Sequence, residues 1–79
     1  MRQLKLIWDF KGPDAFKIAE HHVIHLKEYI NLEGLELNIT GVERISDFHT
    51  IAFLVVPENE MPKVRDALKP HRGQVYTQG

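Results

Sequence analysis

The sequence predicts an α+β domain in which a four-stranded antiparallel sheet carries two helices on one face. Three observations lead to this fold class. Apolar residues recur at every second position in some segments and about every 3.6 positions in others, which gives the order β-α-β-β-α-β. One segment, HTIAFLVV, is apolar at both parities, as is typical of a strand in the middle of a sheet. Glycine and proline separate the segments, and 79 residues are enough for one domain, 1–79.

The first strand is predicted from alternation along the beginning of the chain. Its buried face takes the apolar residues Leu4, Leu6, Trp8 and Phe10. The triplet Gly12-Pro13-Asp14 then indicates the start of a helix, with glycine as the cap and proline at the first helical position.

The first helix is predicted from Pro13 to about Glu33, where the apolar spacing becomes helical. The residues that share its apolar face are Ala15, Ile18, Ala19, Val23, Leu26, Tyr29 and Ile30. Gly34 is placed to end this helix in the left-handed conformation.

Shorter patterns predict the remaining elements. Alternation over 35–40 predicts the second strand, and 43–47 read as the connection of a β-hairpin. The third strand follows over 49–56 and is closed by Pro57. A second helix begins after 57–60 and stops at Pro70, and its apolar stripe consists of Met61, Val64, Ala67 and Leu68. A last short strand is predicted over 74–77.

The order β-α-β-β-α-β restricts the possible arrangements of these elements. With right-handed crossovers it predicts the ferredoxin-like fold, in which the first and third strands are central. These two strands are also the most apolar segments of the chain. The second face of such a sheet lacks helices, yet Ile7 and one parity of the third strand must point there. We therefore expect a homodimer that covers this face.

Composition excludes several classes of function. The net charge is −1 with acids and bases interspersed, whereas binding of nucleic acid requires a basic patch. No stretch has the length and apolarity of a signal peptide core or a membrane span, so the sequence predicts a soluble cytoplasmic protein with no membrane partner. The chain has no cysteine, which leaves neither disulfides nor thiolate metal ligands.

Three strings carry a family resemblance across nearly the whole chain: LIWDFKGPDAFKIAEHH, a long helix ending in EGL, and IAFLVVPENEMPKV. In element order and apolar pattern they resemble small dimeric α/β-barrel domains. This resemblance implies a ferredoxin-like fold whose sheets pair face to face across a two-fold axis. Members of that superfamily include monooxygenases, haem-degrading enzymes and isomerases, and some use a histidine of the first helix in catalysis. The nearest equivalents here are His22 and His25.

The stretch AEHHVIHL places three histidines on the first helix. His21, His25 and Glu28 fall on one flank, where an i, i+4 histidine pair and a carboxylate could ligate a divalent ion. A polar flank without metal is the favoured interpretation, and no cofactor is predicted. His22 falls on the apolar face instead. It is either a core histidine bonded to a strand group or a polar group lining a ligand cavity.

Two residues at the end of the first strand complete the candidates. Trp8 is predicted to pack in the core, with contact to a ligand as the second possibility. Asp9 alternates onto the other face, where it is either an ordinary strand-end acid or a group that acts as a base or orients a histidine. His49 and His71 are isolated in the sequence and are predicted to be surface or strand-edge residues.

Two functions are compatible with these patterns. The first is a small α+β module that works as a homodimer and holds a small ligand between helix and sheet. The second is a dimeric-barrel enzyme, of monooxygenase or isomerase type, that uses His22 or His25 for proton transfer. An enzyme requires a cavity with at least two convergent polar groups, whereas a structural module fills that space with side chains.

Overall fold

Four strands and two α-helices account for most of residues 2–77, the part of the chain that the computed structural model describes. A short 3₁₀ turn, Glu58–Glu60, leads into the second helix. The elements are β1 Gln3–Lys11, α1 Ala15–Glu33, β2 Ile39–Ser46, β3 His49–Pro57, α2 Met61–Leu68 and β4 Arg72–Tyr76. The fold is α+β with the predicted order of elements. The predicted domain, 1–79, extends beyond the described residues at both ends.

The strands form one sheet in the order β2-β3-β1-β4, and all neighbours are antiparallel. The prediction that the first and third strands are central is confirmed. Leu6 of β1 pairs with Leu54 of β3 on one side and with Gly73 of β4 on the other. A fully buried central strand tolerates apolar residues at both parities, which explains the composition of β3.

Helix α1 agrees closely with its prediction. It begins at Ala15, two residues after the predicted start, and Gly34 ends it with a φ of 62° in the left-handed region. One side chain of the predicted apolar face is instead largely exposed, because Ile18 has 48% of its surface accessible. At about 100° per residue, Ile18 lies roughly 100° from the centre of the buried stripe, which runs through Ala15, Ala19, Val23, Leu26 and Ile30.

The second strand was predicted too early and too short. It begins at Ile39 instead of Leu35 and continues to Ser46, through the segment predicted as the hairpin connection. Pairing with β3 continues past Gly41, where a Cβ atom would lie 3.3 Å from the Phe53 ring, so glycine allows the close approach. Since β2 is an edge strand, the residues at its end are exposed and mostly polar, and this composition is also typical of a turn.

The last two elements also differ in detail from their predictions. Ala67, assigned to the apolar stripe of the second helix, is exposed, and Val64 is the buried residue of α2. Strand β4 begins at Arg72, before the predicted start at Gln74. Its pairing begins early because the backbone N–H of His71 already donates to the carbonyl oxygen of Ile7 at 2.9 Å.

A single cluster of buried apolar residues joins both helices to the sheet. Val64 is the contribution of α2, and α1 contributes Ala19, Val23, Leu26 and Ile30. The strand residues of the cluster are Leu6, Trp8, Ala52, Leu54 and Val56. Within residues 2–77, no helix combines the length and apolarity needed to cross a membrane.

Alternation sends the other residues of the central strands to the opposite side of the sheet, which we call the second face. It carries Lys5, Ile7 and Asp9 of β1 and His49, Ile51, Phe53 and Val55 of β3. Ile7, Ile51 and Val55 are buried, with 1%, 3% and 0% of their surface accessible, although they lie outside the core cluster. The ammonium group of Lys5 lies 4.5 Å from the centroid of the Phe53 ring, so strand side chains themselves cover part of this face.

Replacement of Trp8 tests the packing of the core. Trp8 retains only 3% of its surface accessible, so Trp8→Ala should lower the free energy of unfolding by about 3–5 kcal/mol. Chemical denaturation followed by circular dichroism measures this change. Leu32→Ala is the matched control because Leu32 is 83% exposed, and its effect should stay within about 0.5 kcal/mol. Equal stability of the Trp8→Ala variant and the wild type would contradict the described packing.

Candidate functional site

Helix α1 separates the three histidines of AEHHVIHL as the helical period predicts. His21 and His25 are exposed on the flank, and His22 is half-buried and turned toward the sheet. His25 Nδ1 lies 3.2 Å from Glu28 Oε1, and both side chains are more than two thirds exposed. An exposed pair of this kind contributes little to stability.

The described residues contain no cluster of three or more histidine, aspartate or glutamate side chains arranged to hold a metal ion. Of the candidate ligands His21, His25 and Glu28, only the last two are in contact. That the purified protein contains no stoichiometric metal stays a prediction from the sequence. Elemental analysis tests it. About one transition-metal ion per chain, lost in the His21→Ala, His25→Ala double variant, would contradict it.

His22 lies among aromatic rings at the contact between α1 and β1. Its ring centroid is 4.7 Å from that of Trp8 and 5.5 Å from that of Phe10. Trp8 in turn donates its indole N–H to the carbonyl oxygen of Leu68 at 3.1 Å. His22 Nε2 is buried, and no group among residues 2–77 bonds to it. The predicted hydrogen bond from a strand group to this nitrogen is therefore not found.

Burial makes the protonated form of His22 unfavourable. It lowers the pKa of His22 below the usual value of 6.5, and the nearby His25 and His71 lower it further. A neutral imidazole with an unbonded ring nitrogen is a hydrogen-bond group available to a ligand, but its polar atom is also costly to bury.

Asp9 lies at the centre of a polar cluster on the second face. Its Oδ1 accepts a hydrogen bond from Arg72 Nη2 at 3.1 Å and lies 2.8 Å from His49 Nε2. Its Oδ2 accepts from Arg72 Nε at 2.9 Å, so the guanidinium binds both oxygens. The hydrogen bonds from Arg72 and His49 hold the pKa of Asp9 far below its usual value. The carboxylate is consequently a weak base that orients its partners.

His71 connects the backbones of β1 and β4. Its own N–H donates to Ile7, and its Nδ1 accepts the backbone N–H of Asp9 at 2.9 Å. Because Nδ1 acts as an acceptor, the neutral ring carries its proton on Nε2. Its centroid is 6.4 Å from that of Phe10, so His71 borders the aromatic group around His22.

His49 and His71 are isolated in the sequence, but in the structure both contact Asp9. The sequence left open whether Asp9 is an ordinary strand-end acid or a group that acts as a base or orients a histidine; its side chain contacts His49 and not His22. Sequence reasoning missed these contacts because they depend on the register of strand pairing. Lys11 pairs with His49 and Ile7 pairs with Arg72, so antiparallel pairing places both partners diagonally to Asp9 on the same face.

Two surface clefts lie between a helix and the sheet. The first cleft, of about 480 Å³, separates α2 from the β1–β4 edge, and its lining is Leu4, Leu6, Met61, Arg65, Pro70, His71, Arg72, Gly73, Gln74 and Val75. The second cleft, of about 340 Å³, lies between α1 and β2. Trp8, His22 and His25 line neither of them.

Comparison of the chain with protein-family models, with curated proteins and with solved structures finds no match. Any function inferred for this chain therefore rests on the physical properties of its clefts and polar groups.

The lowered pKa of His22 predicts a pH dependence of stability. The unfolded chain has the higher pKa, so it takes up the proton first as the pH falls below about 6.5, and the free energy of unfolding decreases there. Urea unfolding at pH 7.5 and 5.5, followed by Trp8 fluorescence, measures the loss. His22→Leu should reduce the difference between the two pH values, whereas His21→Leu should preserve it. An unchanged difference in His22→Leu would contradict the assignment.

Proposed function

We propose that the chain is a ferredoxin-like domain that works as a homodimer and binds a small ligand between a helix and the sheet. The fold assignment is supported by the order of the elements, by the central positions of β1 and β3, and by the core cluster that both helices share. Ligand binding and self-association use different surfaces of the chain.

The observation that carries the binding function is the first cleft. Its volume of about 480 Å³ lies in the range of about 300–1,000 Å³ that small-molecule sites occupy. Aliphatic side chains form most of its wall, and a few polar groups stand among them, which is the usual composition of such sites. Gly73 lines the cleft, and a Cβ atom there would contact the Leu6 side chain at 3.4 Å.

The second face supports self-association with another copy of the same chain. Ile7, Ile51 and Val55 are already buried within the single chain, so the apolar surface that this face offers to a second copy is that of the partly exposed Phe53 and the aliphatic part of Lys5. The four strands are 9, 8, 9 and 5 residues long, so their sheet offers on the order of 500 Å² of projected area. A standard interface takes up about 800 Å² of accessible surface per partner, which is of the same order. The chain has 79 residues and no cysteine, so burial between copies would add to a small core.

Light scattering at tens of micromolar tests the assembly, and we expect the mass of a dimer. Phe53→Glu should shift this mass to that of the monomer, because it places a carboxylate in the centre of the proposed interface. Leu32→Glu is the control, since Leu32 is 83% exposed on α1, away from the second face. Circular dichroism checks that both variants fold. A monomer mass for the wild type would refute the homodimer.

The enzyme of dimeric-barrel type is the second candidate function. Its support is the unbonded Nε2 of His22 beside Trp8 and Phe10, since a general acid or base must reach substrate through such a nitrogen. His25 is a weaker candidate, because it is exposed and paired with Glu28. The ring resonances of His22 distinguish the two functions during a ligand titration. They should shift only slightly if ligand enters the first cleft, which His22 does not line, and they should shift strongly if His22 serves an active site.

A further inference from the structure

The first cleft has an uneven distribution of charge. Its lining contains two arginines and one histidine, and no aspartate or glutamate is among the lining residues. The chain as a whole has a net charge of −1, so this cationic lining is a local property. Such a cleft attracts anions and repels amines.

The two arginines of the lining differ in how they are bonded. Arg72 donates from Nε and Nη2 to Asp9 on the second face, so the carboxylate compensates its charge. Arg65 makes only a contact of 3.3 Å from Nε to the neighbouring Asp66, and this pair is largely exposed. Among the described residues, the terminal amino groups of Arg65 donate no hydrogen bond. Arg65 is therefore the cation that a ligand can use.

His71 supplies a second donor to the same cleft. Its Nδ1 accepts the backbone N–H of Asp9, which assigns the ring proton to Nε2. The imidazole is held in place by this bond and by its own backbone N–H to Ile7. A held N–H donor and a guanidinium that line one cleft are suited to an anionic oxygen pair.

The remaining wall selects the body of the ligand. Leu4, Leu6, Met61, Pro70 and Val75 are all apolar, so most of the surface that a ligand would touch offers no hydrogen bonds. A polyanion such as a nucleoside diphosphate would lose its hydration against this wall and gain a single guanidinium, that of Arg65, which already contacts Asp66 through Nε. A molecule with one carboxylate and an aliphatic or aromatic body would lose little hydration against the same wall.

We infer that the first cleft binds a small amphipathic monocarboxylate, with its carboxylate at Arg65 and His71 and its apolar body against Leu4, Leu6, Met61 and Val75. This inference rests on the proposed binding function and names the chemical class of its ligand. Affinity should increase about fourfold for each methylene group that enters the cleft, and hence about fifteenfold from hexanoate to octanoate.

Titration of the isotope-labelled full chain with octanoate tests the inference, with backbone amide resonances as the readout. We expect shifts at Met61, Gly73, Gln74 and Val75, weaker binding of hexanoate, and no binding of octylamine. Arg65→Gln should weaken octanoate binding about tenfold, which corresponds to one charge-assisted hydrogen bond, and Arg65→Lys should retain part of it. Arg44→Gln is the matched control, because Arg44 lies over the Phe16 ring and does not line the cleft.

Two results would overturn the inference, and they differ in what they say about the proposed function. If 1-octanol shifts the same residues with the affinity of octanoate, and Arg65→Gln changes neither, the cleft binds ligands but does not select anions. If none of the probes shifts the cleft residues, both the ligand class and the proposed binding function fail. Self-association is measured separately by light scattering, so neither result affects the homodimer.

Discussion

Side chains on both faces of β1 bond to the segment 68–72, and the positions of the candidate sites depend on these two bonds. Trp8 and Asp9 are adjacent, so alternation sends them to opposite faces. Trp8 binds the carbonyl of Leu68 at the end of α2, and Asp9 binds the guanidinium of Arg72 at the start of β4. The residues between are thereby fixed at two points. Lys69 takes a φ of 52°, a left-handed conformation that costs a residue with a side chain about 1–2 kcal/mol.

This attachment also determines where the cleft and the aromatic group lie. His71, between the two points of attachment, borders the first cleft and lies 6.4 Å from the Phe10 ring by centroid distance. Phe10 and Trp8 in turn enclose His22. Strand β1 therefore lies between three different sites. These are the apolar first cleft with its cationic groups, the neutral imidazole of His22 and the ion-paired carboxylate of Asp9. Burial lowers the pKa of His22 and favours its neutral form, whereas the hydrogen bonds from Arg72 and His49 lower the pKa of Asp9 and favour its charged form.

Local patterns predicted much of the fold and less of the candidate site. The period of α1, its end at Gly34 and the central position of β3 could be predicted, because burial of one face or of both imposes a spacing on the sequence. The extent of β2 could not, since an edge strand with one exposed side has the composition of a loop. The partners of Asp9 lie 40 and 63 positions away along the chain, and only strand register brings them together. The first cleft depends on the same register.

The irregular pairing near the end of β2 has a consequence for behaviour at high concentration. The register of β2 with β3 changes between Arg44 and Ser46. The exposed edge of β2 is therefore not one continuous ladder of backbone donors and acceptors. A foreign strand that aligned with Ile39–Arg44 would lose its pairing at the irregularity. The opposite edge, β4, is five residues long and contains a glycine, which makes it a poor template as well. Both margins of the sheet thus resist uncontrolled strand addition and fibril growth.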